Sequence, residues 1–187
     1  KALSIKPDLT VAHKNLGHAL QGILFNKPNR DLQKTIITLL DRKISVRPKD
    51  IAKAAISLLK LEPYLQKHLQ LVDNGVIENH VDVISDLNKI PLLLKLMSVC
   101  PLADLELEKL FKKLRYSILS NISSLKEASP EIIGFQSALA LQCFTNEYVY
   151  SDTEEEKKTL RDLEKNVKDA FKNNEQPSPQ SVLALAS

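Results

Sequence analysis

Apolar residues recur at spacings of three and four along almost the whole chain, and this pattern constrains the fold more than any other feature. Between Leu107 and Ile122, for example, leucine, isoleucine and phenylalanine follow one another at these intervals and would form one face of an α-helix. Alternating apolar and polar residues, which would indicate strands, form no convincing series. The sequence therefore predicts an all-α fold.

Prolines and caps divide the periodic stretches into separate helices, because proline is favoured in the first turn of a helix. Five helices are accordingly expected to begin at Pro48, Pro63, Pro91, Pro101 and Pro130. The first helix should run from about Thr10 to Leu24, and a second should end near Lys43. Asp152 or Thr153 should cap a charged helix. The stretch from Ile132 to Phe144 is apolar on nearly all sides, so its helix should be central.

The composition favours a globular protein with an aliphatic core. Its net charge is too small to attract a charged partner over a long distance. The 187 residues are 43% hydrophobic, which is enough for a core, and include no tryptophan. Lys and Arg number 26 against 23 Asp and Glu, so the formal charge is only +3. Neither nucleic acid nor a membrane surface is therefore expected as a partner. No apolar run approaches the roughly 20 residues of a membrane helix.

The cysteines indicate the cellular compartment of the protein, and the glycines indicate which cofactors it could bind. Cys100 and Cys143 each stand among apolar helical residues, as buried thiols do in a reducing compartment. With no signal-peptide pattern at the N-terminus, we expect a cytoplasmic protein. Only four glycines are present, and none forms the glycine-rich turn that holds a nucleotide or S-adenosylmethionine. No cofactor and no catalytic residue are therefore expected in this chain.

The densest polar group within apolar sequence runs from Gln142 to Tyr150 and includes Asn146, Glu147 and Tyr148. Buried amides and carboxylates need hydrogen-bond partners, so these side chains should pair within the domain or dock against another surface. An alternative makes Cys143 a nucleophile beside Glu147 and Tyr148, in an active site formed by the helical bundle. No histidine stands nearby in the sequence to activate the thiol, which favours the structural role.

The histidines and the clustered basic residues give only weak indications of metal or nucleic-acid binding. His13 and His18 are five residues apart, whereas two metal ligands on one helix face stand four apart, so no metal site is expected. Each of the four histidines is interpreted as a surface residue. Two basic clusters are interpreted as solvated helix faces, because no aromatic residues interleave with them for base stacking. These clusters are Lys109, Lys112, Lys113 and Arg115, and Arg42, Lys43, Arg47 and Lys49.

The first 21 residues carry a repeat pattern. Its members are Ala2, Leu3, Ile5 and Pro7, followed by Ala12, Asn15, Leu16, Gly17 and Leu20. This arrangement resembles the junction between two helices of tetratricopeptide repeats. The resemblance implies that four side chains line the concave groove in which such repeats bind peptides, namely Val11, Lys14, His18 and Gln21. A single repeat cannot bury its own apolar face, so Leu16 and Leu20 should pack against the following body or a neighbouring molecule.

Two further stretches, together with the repeat, resemble one bacterial family. They run from Leu39 to Pro48 and from Ala138 to Val149. In that family, tetratricopeptide repeats lead through a helical region into an S-adenosylmethionine-dependent methyltransferase domain. The resemblance implies that residues 1–27 end a repeat array, that residues 28–176 form a compact multi-helix domain, and that residues 177–187 begin a further segment. The methyltransferase domain itself would lie beyond Ser187.

The expected function is that of a non-catalytic helical connector. Such a module would bind a protein or peptide, or position a downstream domain of the same chain. The rival hypothesis is the enzyme with Cys143, Glu147 and Tyr148 in its active site. A deep polar pocket at these residues would favour the enzyme, whereas an exposed apolar groove or patch would favour the connector.

Overall fold

The computed structural model describes residues 9–42, 46–75, 79–122, 129–147 and 153–187, and these ranges are helical with connecting loops. The helices of the described residues are α1 (Thr10–Leu20), α2 (Arg30–Asp41), α3 (Pro48–Leu59), α4 (Pro63–Asp73), α5 (His80–Leu87), α6 (Pro91–Val99), α7 (Leu105–Ser120), α8 (Pro130–Thr145), α9 (Glu154–Lys172) and α10 (Pro179–Leu185). The predicted all-α fold is confirmed. In this part of the chain, none of the helices combines the length and the apolar character needed to cross a bilayer.

Prolines set most of the helix starts, as the sequence predicts. The four that occupy a first turn at an expected start are Pro48, Pro63, Pro91 and Pro130. The expected start at Pro101 is wrong, because this proline lies in a loop and α7 begins at Leu105. The Asp104 carboxylate accepts hydrogen bonds from the backbone N–H groups of Glu106 and Leu107, both at 3.2 Å. This cap satisfies donors of the first turn and so determines where α7 starts.

The end of α1 and the start of α9 can also be compared with the predicted helix boundaries. Helix α1 ends at Leu20, before the expected Leu24, and Gly22 then adopts a left-handed φ of 77° that helical residues do not have. Thr153, one of the two expected caps, begins α9 in a reciprocal arrangement with Glu156. The Thr153 N–H donates to Glu156 Oε2 at 2.7 Å, and the Glu156 N–H donates to Thr153 Oγ1 at 3.1 Å.

Helix α6 lies at the centre of the core. It packs against α2, α3 and α8. Its buried side chains are Leu92, Leu93, Leu96 and Met97. A helix of nine residues is too short to be stable alone, so burial among three neighbours stabilises it. Leu20 of α1 belongs to the same core and Leu16 packs against it, which confirms that both side chains pack on the following body.

Helix α8 is less central than its sequence suggests. It packs against α5, α6 and α10 and buries Phe135, Leu139 and Cys143. Phe144, however, is 67% exposed and Leu141 is 46% exposed. The expected central position therefore holds for one face, which three helices cover, and not for the face that leaves Leu141 and Phe144 in solvent.

Three of the four histidines are buried, which corrects their interpretation as surface residues. His13, His68 and His80 are 2%, 1% and 6% exposed. Partners on other helices make the burial of two of them favourable: His68 Nε2 lies 3.0 Å from Asp86 Oδ2, and His80 Nδ1 lies 3.2 Å from Ser117 Oγ. Burial also lowers the pKa of His80.

Asp86 on α5 joins that helix to α4. Its Oδ2 contacts the buried His68 ring and accepts from Lys67 Nζ at 3.5 Å, while its Oδ1 accepts from Lys89 Nζ at 2.8 Å. The Lys89 hydrogen bond lowers the pKa of Asp86, burial opposes this effect, and the His68 and Lys67 hydrogen bonds add to the lowering. The folded protein therefore stabilises the ionised carboxylate.

Replacing Asp86 by Asn should lower the free energy of unfolding by about 1–3 kcal/mol at neutral pH. The neutral amide can neither balance the positive charge of Lys67 and Lys89 nor accept hydrogen bonds at both of its terminal atoms. The pKa of Asp86 is lower in the folded chain than in the unfolded one. Its contribution is therefore fully present above the ordinary aspartate value of about 4 and is lost as the pH falls through the lower folded value. Urea unfolding of the wild type and Asp86→Asn should accordingly converge in acid.

The control is Asp162→Asn, which changes an exposed carboxylate on α9. It should leave the unfolding midpoint nearly unchanged across the same pH range. A difference between wild type and Asp86→Asn that persists undiminished in acid would contradict the assigned role of the Asp86 charge.

Candidate functional site

A groove of about 620 Å³ is formed by α1, the end of α2, the start of α3 and the end of α6, and we call it the first groove. Lys14 and His18 line it from α1, Gln21 lines it directly after the helix, and all three side chains are exposed. Lys14 and His18 are four residues apart, so they lie on one side of the helix. Three of the four residues predicted for peptide binding thus lie along a single groove.

Val11, the fourth predicted residue, lies three positions before Lys14 on α1 and is 64% exposed. It does not line the first groove. A ligand confined to the groove would therefore not touch Val11, whereas one that continued along α1 would reach it.

The rest of the first groove combines an ion pair with apolar side chains. Arg47 and Asp50 line it at the start of α3, and Arg47 Nε donates to Asp50 Oδ2 at 2.9 Å. Leu40, Val46 and Val99 add apolar lining. Lys14 makes no ion pair with another residue that the structure describes. The groove therefore offers apolar contacts together with a cation whose charge is not locally balanced.

Gly17 allows α1 to lie close to the residues that precede α3. A methyl group at this position would be 2.7 Å from Val46 Cγ2 and 2.9 Å from Val46 Cβ, which is closer than carbon atoms pack. Val46 itself lines the first groove. The width of the groove therefore depends on a glycine that, in a helix interior, costs about 1 kcal/mol relative to alanine.

The polar group at the end of α8 is only partly internal. Gln142 is 0% exposed. Its backbone carbonyl accepts hydrogen bonds from the Asn146 backbone N–H at 2.9 Å and from Thr145 Oγ1 at 3.0 Å. Glu147 is exposed and has a left-handed φ of 57°. The side chains of Asn146 and Glu147 make no hydrogen bond within the described ranges, so the expected internal pairing is not found for them. Tyr148 lies outside the described residues.

The alternative active site does not present an accessible thiol. Cys143 is 0% exposed, as the apolar sequence around it predicts, while Glu147 projects into solvent. Neither residue lines the first groove or the grooves along α3 and α7 in the described part of the chain. In the last two turns of α8, the exposed side chains are instead the apolar Leu141 and Phe144. An apolar surface is the arrangement that favours docking over chemistry.

The second cysteine is equally inaccessible. Cys100 is 2% exposed, which confirms its prediction as a core residue, and burial raises the pKa of its thiol to about 11. A thiol that stays protonated at neutral pH is a weak nucleophile. The described residues also contain no group of three or more His, Cys, Asp and Glu side chains that could hold a metal ion.

The basic cluster on α7 is bound in part to the end of α4. Lys109 Nζ lies 3.2 Å from Asp73 Oδ1, and Lys113 Nζ donates to the Val72 carbonyl at 2.9 Å. A cation at a helix C-terminus satisfies free carbonyls and complements the helix dipole. Lys109 and Lys112 are exposed, whereas Lys113 and Arg115 are only half-exposed, so the predicted solvated face includes the first two residues alone.

The other basic cluster is divided between surfaces. Arg47 lines the first groove, Lys49 lines a separate groove along α3, and Arg42 is half-buried at the end of α2. Lys43 lies outside the described residues. The cluster in the sequence therefore does not form one continuous basic patch among the residues whose positions are described.

Replacing Gly17 by Ala should destabilise the protein by about 1–3 kcal/mol, because the added methyl group overlaps Val46 and forces α1 and Val46 apart. The matched control is Gly134→Ala on α8, where an added methyl group meets no atom within 4 Å. That variant should gain about 0.5–1 kcal/mol from its higher helix propensity. Denaturant unfolding measures both changes. Equal stabilisation by the two substitutions would show that α1 does not depend on close approach at Gly17.

Comparison of the chain with protein-family models, with curated proteins and with solved structures gave no match. The resemblance to tetratricopeptide repeats and to methyltransferase-linked proteins therefore stays a prediction from the residues that carry it.

Proposed function

We propose that this chain is a non-catalytic helical interaction module that binds an extended segment of a protein partner in the first groove. The observation that supports this function best is the convergence of Lys14, His18 and Gln21 on a groove that also contains Val46 and Val99. Peptide-binding grooves combine apolar contact area with a few polar groups that fix the orientation of the ligand.

The dimensions and charge of the groove restrict the ligand. A volume of 620 Å³ suits a short stretch of peptide rather than a folded domain. Arg47 is paired with Asp50, whereas Lys14 is an exposed cation that makes no ion pair within the described residues. The preferred ligand therefore carries an apolar side chain and an acidic group that lies beside Lys14. The charge pair would set orientation and association rate more than affinity.

A module of this kind connects its partner to whatever else the protein carries. The ligand in the first groove belongs either to a separate protein or to a downstream domain of the same chain, such as the methyltransferase domain that the family resemblance implies. The exposed Leu141 and Phe144 on α8 offer additional apolar contact area for such a domain.

Selection from a random peptide library displayed on phage, followed by fluorescence anisotropy with synthetic peptides, tests this function. We expect peptides enriched in acidic residues, and we expect Lys14→Glu to weaken their binding by about tenfold, because attraction is replaced by repulsion. The matched control is Lys34→Glu, which reverses the charge of an 80% exposed side chain on α2 away from the groove. Circular dichroism would verify that both variants fold.

Two outcomes would refute the proposed function. One is a selection that yields no peptide with saturable binding. The other is a set of peptides that bind Lys14→Glu and wild type equally well, since such peptides would occupy a different surface.

A further inference from the structure

A second groove, of about 500 Å³, runs along α3 and also contacts the loop after α1 and the loop between α6 and α7. Helix α3 contributes Lys49, Lys53 and Ile56, and Lys60 follows its last residue in a helical backbone conformation. These residues stand at positions i, i+4, i+7 and i+11, so they form one stripe along the helix, about 16 Å long at 1.5 Å per residue. Leu24, which is 63% exposed, lines the groove from the loop after α1.

The positive charge of this stripe is only partly balanced. Lys60 Nζ lies 2.6 Å from Asp104 Oδ2 and 3.2 Å from Glu106 Oε2. Lys49 and Lys53 are exposed and make no ion pair with any residue that the structure describes. A ligand in the second groove would therefore meet two uncompensated ammonium groups at one end and an apolar surface beside them.

We propose that the second groove binds an acidic amphipathic helix of a protein partner, whose apolar face packs on Leu24 and Pro101 and whose carboxylates lie beside Lys49 and Lys53. A straight stripe of three helical turns matches the helix-in-groove mode of recognition. Carboxylates four residues apart on the ligand helix would match the spacing of the two lysines. The surface is distinct from the first groove, and its occupation does not require a peptide there.

The shape of the groove favours a helix over a lipid surface. A bilayer is flat, so it would contact the lysine ammonium groups without filling the concave part formed by Ala52, Ile56 and Pro101. A helix places apolar side chains into such a depression and keeps its acidic residues at the rim. Charge complementarity in turn excludes a basic helix as the preferred ligand.

The probe is a fluorescein-labelled synthetic helix of about four turns, with leucine at spacings of three and four and glutamate on both flanks. A matched peptide carries lysine in place of glutamate. By fluorescence anisotropy with the intact chain, the acidic peptide should bind at micromolar concentration, and the basic peptide at least about tenfold more weakly. Lys53→Glu should weaken the acidic peptide by about tenfold, and Lys53→Gln by less. Lys14→Glu and Lys34→Glu should leave its binding unchanged.

Several outcomes would overturn the proposal. Absence of binding, or equal binding of the acidic and basic peptides, would remove the charge complementarity on which it depends. Sensitivity to Lys14→Glu instead of Lys53→Glu would place the peptide in the first groove, so the second-groove proposal would fail while the proposed function would stand. Lys53-dependent binding to phosphatidylserine vesicles that the peptide does not displace would identify a lipid surface instead. A dimer in sedimentation velocity that Lys53→Glu dissociates would identify a second copy of the chain.

Discussion

The burial of α6 is the constraint on which the arrangement of the other helices depends. Its fully buried leucines contact α2, α3 and α8, so these three helices are positioned by their packing on one short element. The end of α6 also shapes both grooves: Val99 lines the first groove, and Pro101, two residues later, lines the second. A change that displaced α6 would therefore deform the core and both candidate binding surfaces together.

The two grooves exist because α1 covers α3 incompletely. Helix α1 has 11 residues, packs on α3 and ends at Leu20, so part of the surface of α3 has no helical neighbour. The first groove takes Lys14 and His18 from α1, where Gly17 permits close approach to Val46. The second groove takes its charge from α3 itself. Two surfaces with different chemistry thus result from one packing arrangement, and each can be altered by substitutions that leave the other intact.

Local signals predicted the helices well because they depend on neighbouring residues. The first-turn prolines and the Thr153 cap act within one turn of the chain. Long-range contacts are what the sequence could not indicate: His68 pairs with a residue 18 positions away, and His80 with one 37 positions away. The start of α7 was missed because the Asp104 side chain, rather than Pro101, supplies the cap.

In the candidate site, too, residues indicated by a local sequence pattern were predicted, and residues added by long-range packing were not. The repeat resemblance indicated Lys14, His18 and Gln21, which all line the first groove. That resemblance could not select Ser98 or Val99, because these residues join the groove only through the packing of α6 beneath it. The exposure of Phe144 was also not predicted, because the sequence of an apolar helix does not indicate how many neighbouring helices will cover it.

The grooves lie on the more strongly packed part of the molecule. Helices α1 to α8 contribute to one continuous apolar core, whereas α9 packs on α7, α10 packs on α7 and α8, and a small separate cluster contains Leu119, Leu163 and Ala184. Opening should therefore begin around α9 and α10 and not at the grooves. A binding surface held by the larger core loses little conformational entropy when a ligand arrives, which is the property that an interaction module requires.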